Sequence, residues 1–329
     1  MTPIRHNAPA FDHAIGSRVG PDPDPQHFPG VAAAMLFSQI AAFDLADWPE
    51  ASLETLTEKL AEKRFAPTLS QQVESMGWAP VVDEALAMET DGAFGLLFRR
   101  EERAVPPRVV QDHAAKKLAE ESGERDPSRD ELRQAREAAL LELLPQAFPR
   151  QAETRVLVDA RNKQVWLANA AEKRNSQISS LLRETLGQWR ITPAFGSEEH
   201  GSRLSRWLLE GPPAGFELGD SAKLLEPRDG GSITVTRLGL PDENVLAHLR
   251  DGMTVEQLEL VWRDRLRFTM RADGHLTKVK ALDTLDDEFD DDGLDDPATR
   301  LEAEQRLTLD VLRELTRVLH EALERPGAN

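Results

Sequence analysis

The sequence predicts an α+β fold, with antiparallel sheets and packed helices rather than a regular alternation of strand and helix. Two observations carry this expectation. Period-two stretches fall in neighbouring runs joined by short turns, as in "TRVLVDARNKQVWLAN" (154–169) and in the segments 254–262, 264–271 and 275–281. Helical stretches form a group of their own at 108–122 and 129–144, linked by the polar turn "SGERDPS". The chain has 329 residues, 30 % charged and 40 % hydrophobic, enough for one large domain or two to three smaller ones. No internal repeat occurs at a fixed period.

Residues 1–34, with the proline- and glycine-dense "VGPDPDPQHFPG", read as a disordered N-terminal extension. Met35 opens the first credible strand, "MLFSQIAAFDL", and is a candidate biological start. An N-terminal α/β region follows over 35–107. It holds a helix at 52–64 capped by Ser52, a turn at "SMGWAP" (75–80), and a strand hairpin at "GAFGLLFRREERAVPP" (92–107) ended by two prolines. The helices of 108–147 make an antiparallel hairpin, a candidate projecting finger. Ser128 and Glu131 form a capping box for the second helix, and Pro145 ends it.

A central sheet region spans 148–282. It begins with the 154–169 hairpin, whose turn lies near Arg161, Asn162 and Lys163, and continues with a helix at 171–186. "GGSITVTRLGL" (230–240) reads as a strand, 242–250 as a short helix, and 254–281 as a meander turning at "ADGH". The acidic run 283–297 reads as a tether. Residues 298–329 end the chain in an amphipathic helix over 301–324, with Leu312, Leu315, Leu319 and Ala322 on one stripe.

Charge is segregated. The chain carries −18, and the nine acidic residues of "DTLDDEFDDDGLDDP" supply half of it. Residues 263–280 hold six Lys and Arg against two Asp. Within "RDRLRFTMR", Arg263, Arg265, Arg267 and Arg271 alternate with Leu266, Phe268 and Met270, the pattern of a strand with one basic and one apolar face. Lys278 and Lys280 share a face of the next strand. Lys173 and Arg174 add a basic pair at a helix start, where the helix dipole disfavours cations. These groups suit backbone phosphates. Equally, a half-buried antiparallel sheet always shows water a polar face, and the arginines could be that face, paired with neighbouring acids.

Catalytic motifs are scarce. The chain contains no Walker loop, GxSxG elbow, HExxH or dinucleotide fingerprint, and its eight histidines never pair at metal-ligand spacing. Read as a calcium loop with Gly293 sixth, the acidic run places Thr299 where a bidentate Glu is required. No cofactor is implied. Zero cysteines excludes disulfides and thiolate metal sites, and no run reaches membrane-span length. No secretory pattern opens the chain, so a cytoplasmic location is expected.

Several motifs together resemble one family. "SMGWAP", "LLPQAFPR", "LLRETLG", "DGG" before a strand, and "LELVWRDRLRFTMRADGHLTKVKAL" occur in the order and spacing of RdgC proteins, over roughly 35–320. "MLFSQIAAFDL" resembles that family's start. The resemblance implies horseshoe subunits forming a ring-shaped homodimer that encloses double-stranded DNA without sequence preference. It also implies antagonism of the RecA recombinase and association with the nucleoid. By the same resemblance the helical pair is a finger, and Phe148 matches a phenylalanine expected at a subunit contact. Arg237 matches a lysine on the strand after "DGG", and Lys173 and Arg174 match a basic pair. Two departures stand out. Gln146 replaces an arginine, and the finger turn "ESGERDPSRDE" is net acidic where relatives can be lysine-rich.

The expected function is therefore a nonspecific duplex-DNA-binding protein that restrains RecA-dependent recombination sterically, without bond breaking. Its expected contacts are Arg263, Arg265, Arg267, Arg271, Lys278, Lys280, Arg237, Lys173 and Arg174. A metal-dependent exonuclease and a protein-interaction module acting through 301–324 are the alternatives.

Overall fold

The computed structural model describes residues 37–46, 52–122, 127–187, 189–195, 200–282 and 296–324. The expected extension 1–34, Met35, residues 123–126 in the turn of the expected finger, and residues 283–295 of the expected tether lie outside the described residues.

Seven strands form one antiparallel sheet. They are β1 (Ala41–Leu45), β2 (Glu74–Ala79), β3 (Ala87–Thr90), β4 (Ala93–Arg103), β5 (Pro149–Asp159), β6 (Gln164–Leu167) and β7 (Ile191–Pro193). Their order is β2-β4-β5-β6-β1-β7, with β3 also paired to β4. Alternation along the strands gives this sheet two apolar faces. Val156, Val158, Val165 and Leu167 point to one side, where they meet Leu56 and Leu60 of α1 (Leu53–Glu62). The same side meets Ile178 and Leu182 of a later helix, Glu172–Leu186. Ala42, Leu157 and Trp166 point to the other side and join the second core.

Between these elements come α2 (Pro107–Ser122) and α3 (Arg129–Leu143), followed by a single 3-10 turn at Leu144–Gln146. The Ser128–Glu131 capping box is present at the start of α3. The two helices pack on each other: Glu142 takes hydrogen bonds from His113, at 3.1 Å, and from Lys117, while Ala114, Leu118 and Ala139 are buried. The helix Glu172–Leu186 is α4.

The remaining helices are α5 (His200–Glu210), α6 (Glu243–Arg250) and α7 (Pro297–Glu324). The second sheet holds β8 (Phe216–Leu225), β9 (Ser232–Val235), β10 (Thr254–Trp262), β11 (Leu266–Arg271) and β12 (Leu276–Ala281). Its order is β12-β11-β10-β8-β9, all antiparallel. One face buries Leu258, Leu260, Trp262, Leu266, Phe268 and Met270 against Leu204 and Trp207 of α5 and Leu312, Leu315 and Leu319 of α7. Helix α7 thus fills the space between the sheets. Thr316 accepts the Trp166 indole N–H at 2.9 Å, and Gln305 occupies the place where a side chain at Gly95 would stand, 2.0 Å from its Cβ position. The sheets also join directly. Ile40 and Leu276 exchange backbone hydrogen bonds of 2.8 and 2.9 Å, and Val279 N–H donates to Ser38 O at 2.9 Å.

Three expectations need correction. "SMGWAP" is not a turn but strand β2 and the proline after it. Gly77 is there because the backbone of Phe65 approaches so closely that a Cβ would lie 2.6 Å from its Cα. The hydrogen bonds Phe65 N–H to Trp78 O and Trp78 N–H to Lys63 O, 2.8 and 2.9 Å, fix that approach. Residues 92–107 hold not a hairpin but the single eleven-residue strand β4, whose hairpin partner β3 precedes it. The C-terminal helix starts within the expected tether: Asp296 caps α7 by accepting from Thr299 N at 2.9 Å, and Pro297 takes the first position, where a missing N–H costs nothing. Helix α5 and strand β8 carry no clear signal in the sequence pattern.

Candidate nucleic-acid interface

The arginine run does not form one strand face. Arg265 N–H donates to Trp262 O at 2.9 Å, and Arg263 and Asp264 both have positive φ, 49° and 52°, so they are the central residues of a tight hairpin turn. Only 266–271 keeps the strand alternation. Leu266, Phe268 and Met270 are fully buried beneath it, as the apolar half of the pattern predicts. Arg263 lies over the Trp262 ring, 5.5 Å from its centroid, and pairs with Glu314 of α7, whose other oxygen is 3.7 Å from Arg265. These two arginines are therefore engaged toward α7.

Arg267 and Arg271 do stand on the outer face of the second sheet, with Thr269 between them. Each meets acids. Arg267 pairs with Glu259 at 3.1 Å and lies 3.9 Å from Asp220; Arg271 pairs with Asp273 and donates to Ala170 O at 3.4 Å. The outer face also gains Lys223 of β8, opposite Gln257 and 2.7 Å from Glu256. Sequence reasoning missed Lys223 because Gly219, Asp220 and a register shift interrupt the period of β8.

Lys278 and Lys280 are both exposed, and neither has an ion-pair partner among the described residues. Simple alternation would put them on the same side as Leu276, which is buried. A bulge removes the conflict. Two residues, Lys278 and Val279, oppose Phe268 alone, and Lys278 takes positive φ (52°), so Val279 turns into the core and Lys280 out. Lys280 then faces Arg267 directly across the ladder, a like-charge pair that costs stability by itself.

Arg237 is not on the strand after "DGG": pairing ends at Val235, and Arg237 lies two residues beyond, exposed and with φ 56°. Lys173 and Arg174 sit in the first turn of α4, whose N-cap Ala171 supplies no side-chain acceptor. Lys173 lines an open groove with Lys63, Arg64, Glu172 and Glu184. Phe148 lies between the 3-10 turn and β5 and is 90 % exposed, the most exposed large apolar side chain among the described residues. Leu141 of α3, 62 % exposed, lies just before it in sequence.

One network links the first sheet's helix to the second sheet. Asn169 Nδ2 donates to Asn175 Oδ1 at 2.9 Å, so the Asn175 amide nitrogen faces His275 Nε2, 3.1 Å away. Nε2 is thereby the acceptor, and the ring proton sits on Nδ1, 3.0 Å from Asp273 Oδ1. Burial pushes the Asp273 carboxyl up, but hydrogen bonds from His275 and the nearby Arg271 charge outweigh it and hold the group below its ordinary value. Among the described residues, no three His, Asp or Glu side chains are grouped to hold a metal ion, and no helix is long and apolar enough to cross a membrane.

A family model described as "Putative exonuclease, RdgC" matches residues 35–325. The chain belongs to the RdgC family. Among RdgC relatives, the recombination-associated protein RdgC of Proteus mirabilis is 30 % identical over 275 residues, covering 82 % of this chain and 91 % of that protein. The recombination-associated RdgC proteins of Salmonella paratyphi B and Salmonella typhimurium are each 30 % identical over 278 residues, with the same shares covered.

Proposed function

We propose that this RdgC protein binds double-stranded DNA through its backbone phosphates, without sequence preference. On this reading it works as a dimeric ring around the duplex and restrains RecA-dependent recombination by obstructing strand invasion. The observation that carries the reading is the cluster of Lys278, Lys280 and Arg267. Lysines on an edge strand commonly serve only to block edge-to-edge pairing. The outer side of β12 is already covered by residues 38–40, so that explanation is weak here, and the two lysines have no acid beside them among the described residues, whereas Arg267 already has Glu259. Arg271, Lys173, Arg174 and Arg237 are further proposed contacts. Arg263 and Arg265 are secondary ones, because Glu314 already engages them. Exposed Phe148 supports a subunit contact beside the proposed finger of α2 and α3.

The test is a duplex titration at several salt concentrations with magnesium present and the DNA checked for length afterwards. Binding with intact DNA and a log–log salt slope of about −0.9 per phosphate contacted is expected. Reversing both lysines (Lys278→Glu with Lys280→Glu) should weaken affinity at least tenfold and flatten that slope. No binding at low salt would end this reading. The description of the matching family favours a second one, a metal-dependent exonuclease, for which the same experiment would return shortened DNA and protection by chelator.

A further inference from the structure

A cavity of about 520 Å³ lies where α4, strands β1 and β7, and the β11–β12 turn meet. That volume suits a small organic ligand. Its walls are chemically divided. Phe43, Ile191, Pro193 and Ala170 make an apolar side. The polar lining includes Ser176, Ser179, Ser180 and Arg183, at the i, i+3, i+4 and i+7 spacing that places them on one stripe of α4.

A run of small residues on a helix ordinarily lets another element come close. Here nothing does: the space in front of the serines is the cavity itself. Their hydroxyls and the Arg183 guanidinium make no hydrogen bond to other described residues, whereas the opposite stripe of α4 (Ile178, Leu182 and Leu186) is buried in the core. The stripe is therefore a half-buried to exposed polar wall whose donors are free for whatever enters the cavity.

A second observation points into the same space. Asn175 lines the cavity and is only 6 % exposed, and its amide nitrogen has two protons but one acceptor, His275 Nε2. That nitrogen keeps one further proton with which it can donate to a ligand oxygen in the cavity it lines. Arg271 and His275 also line the cavity, and Asp273 holds both through the ion pair and the imidazole contact already described. Asp273 is thus largely neutralised, and with Glu172 at the N-terminal end of the helix, Arg183 is left as the guanidinium without an internal partner among the described residues.

We propose that this cavity binds a nucleoside monophosphate unit. Its phosphate would take hydrogen bonds from the serine hydroxyls, the Asn175 amide and Arg183, and its planar base would lie against Phe43 and Pro193. Hydroxyl, amide and guanidinium donors are the set that recognises a phosphate monoester, and the guanidinium can do so with two parallel bonds. The apolar wall beside them selects a phosphate carried on a ring over inorganic phosphate. Two sources share this chemistry, a free nucleotide and the phosphorylated end of a DNA strand. The site shares only Arg271 with the proposed duplex contacts, so it is separable from duplex binding through Lys278 and Lys280, which do not line it.

The test is calorimetric titration of the full chain with deoxyadenosine monophosphate, inorganic phosphate, and a short single strand with and without a 5′-phosphate. Saturable 1:1 binding of the nucleotide or of the phosphorylated strand is expected, at least tenfold tighter than inorganic phosphate or the unphosphorylated strand. Binding of both marks a free-nucleotide site that also accepts an end; binding of the strand alone marks a strand-end site. Arg183→Ala should weaken binding about tenfold, and Ser176→Asp should abolish it by placing a carboxylate beside the phosphate. Both positions are exposed on the helix, so the melting temperature should not move. Lys278→Glu with Lys280→Glu should leave nucleotide binding intact even as duplex affinity falls. Absence of saturation at millimolar ligand, equal affinity with and without the phosphate, or indifference to both cavity variants would overturn the assignment.

Discussion

Asp159 has no solvent exposure, yet it is ionised in the fold because its oxygens are all engaged. Arg313 of α7 donates Nε to Oδ2 at 2.6 Å, and Asn162 donates its backbone and side-chain N–H at 3.0 and 2.8 Å. Burial pushes this carboxyl up, while Arg313 and Asn162 together pull it below the ordinary carboxylate value. The depressed group binds its proton less readily folded than unfolded. It therefore stabilises the fold above the ordinary carboxylate pKa of about 4, and that contribution disappears as pH falls through the lower folded value. Asp159→Asn leaves Arg313 partly buried without its counter-charge, a loss of about 3 kcal/mol expected in urea unfolding at neutral pH. The gap between variant and parent should close as the titration proceeds below about pH 4. A constant gap across that range would show that the charge on Asp159 is not what holds α7.

Among the elements, β2 shows how one residue sets a strand's surroundings. Gly77 allows the chain at Lys63–Phe65 to close on the edge of the first sheet, and Trp78 beside it is fully buried with its indole N–H on Thr185 of α4, 2.9 Å away. Because the obstacle to a Cβ is backbone and not a flexible side-chain end, Gly77→Ala must push the two segments apart. A destabilisation of about 2 kcal/mol is expected from thermal or urea unfolding, together with faster amide exchange at Phe65 and Trp78, the donors of the two hydrogen bonds concerned. Unchanged exchange at those amides would mean that the edge accommodates the methyl elsewhere. Element β12 makes a similar compromise through its bulge, which is what lets Val279 be buried while Lys278 and Lys280 remain in water.

For the whole molecule, the exposed Phe148 and Leu141 raise the question of assembly. A phenylalanine left 90 % in water has no stabilising role in an isolated subunit, and burial at a contact would return about 2 kcal/mol per copy. If Phe148 forms the proposed subunit contact, Phe148→Asp should convert the dimer into monomers in sedimentation at micromolar protein, with unfolding of the subunit unchanged. A monomeric parent protein, or a variant that stays dimeric, would remove Phe148 from the contact. On the proposed ring reading, Phe148→Asp should also weaken duplex affinity beyond the loss of any single charge, because two subunits would share the phosphates neutralised.

The α+β class, the α2–α3 pair with its capping box, the hairpin of β5 and β6, the meander of β10 to β12 and the amphipathic α7 are all legible in the sequence. These rest on signals within a few residues: a cap, a turn, or a period of two or 3.6. The sequence also carries enough ordered motifs to point to the RdgC family. Where the charges go is set by long-range packing. The spacing of Arg263 and Arg265 is that of a strand, but a turn and Glu314, some fifty residues away in sequence, engage them toward α7. The parity of Lys278 depends on Phe268 and Leu276 competing for the same core, which no local pattern records. Asn175 and His275 are a hundred residues apart, and their meeting beside the serine stripe is a consequence of two sheets packing on α7. Local periodicity fixes which way a side chain leaves its own element; what it meets there is set by long-range packing, where burial energy outweighs the local preference.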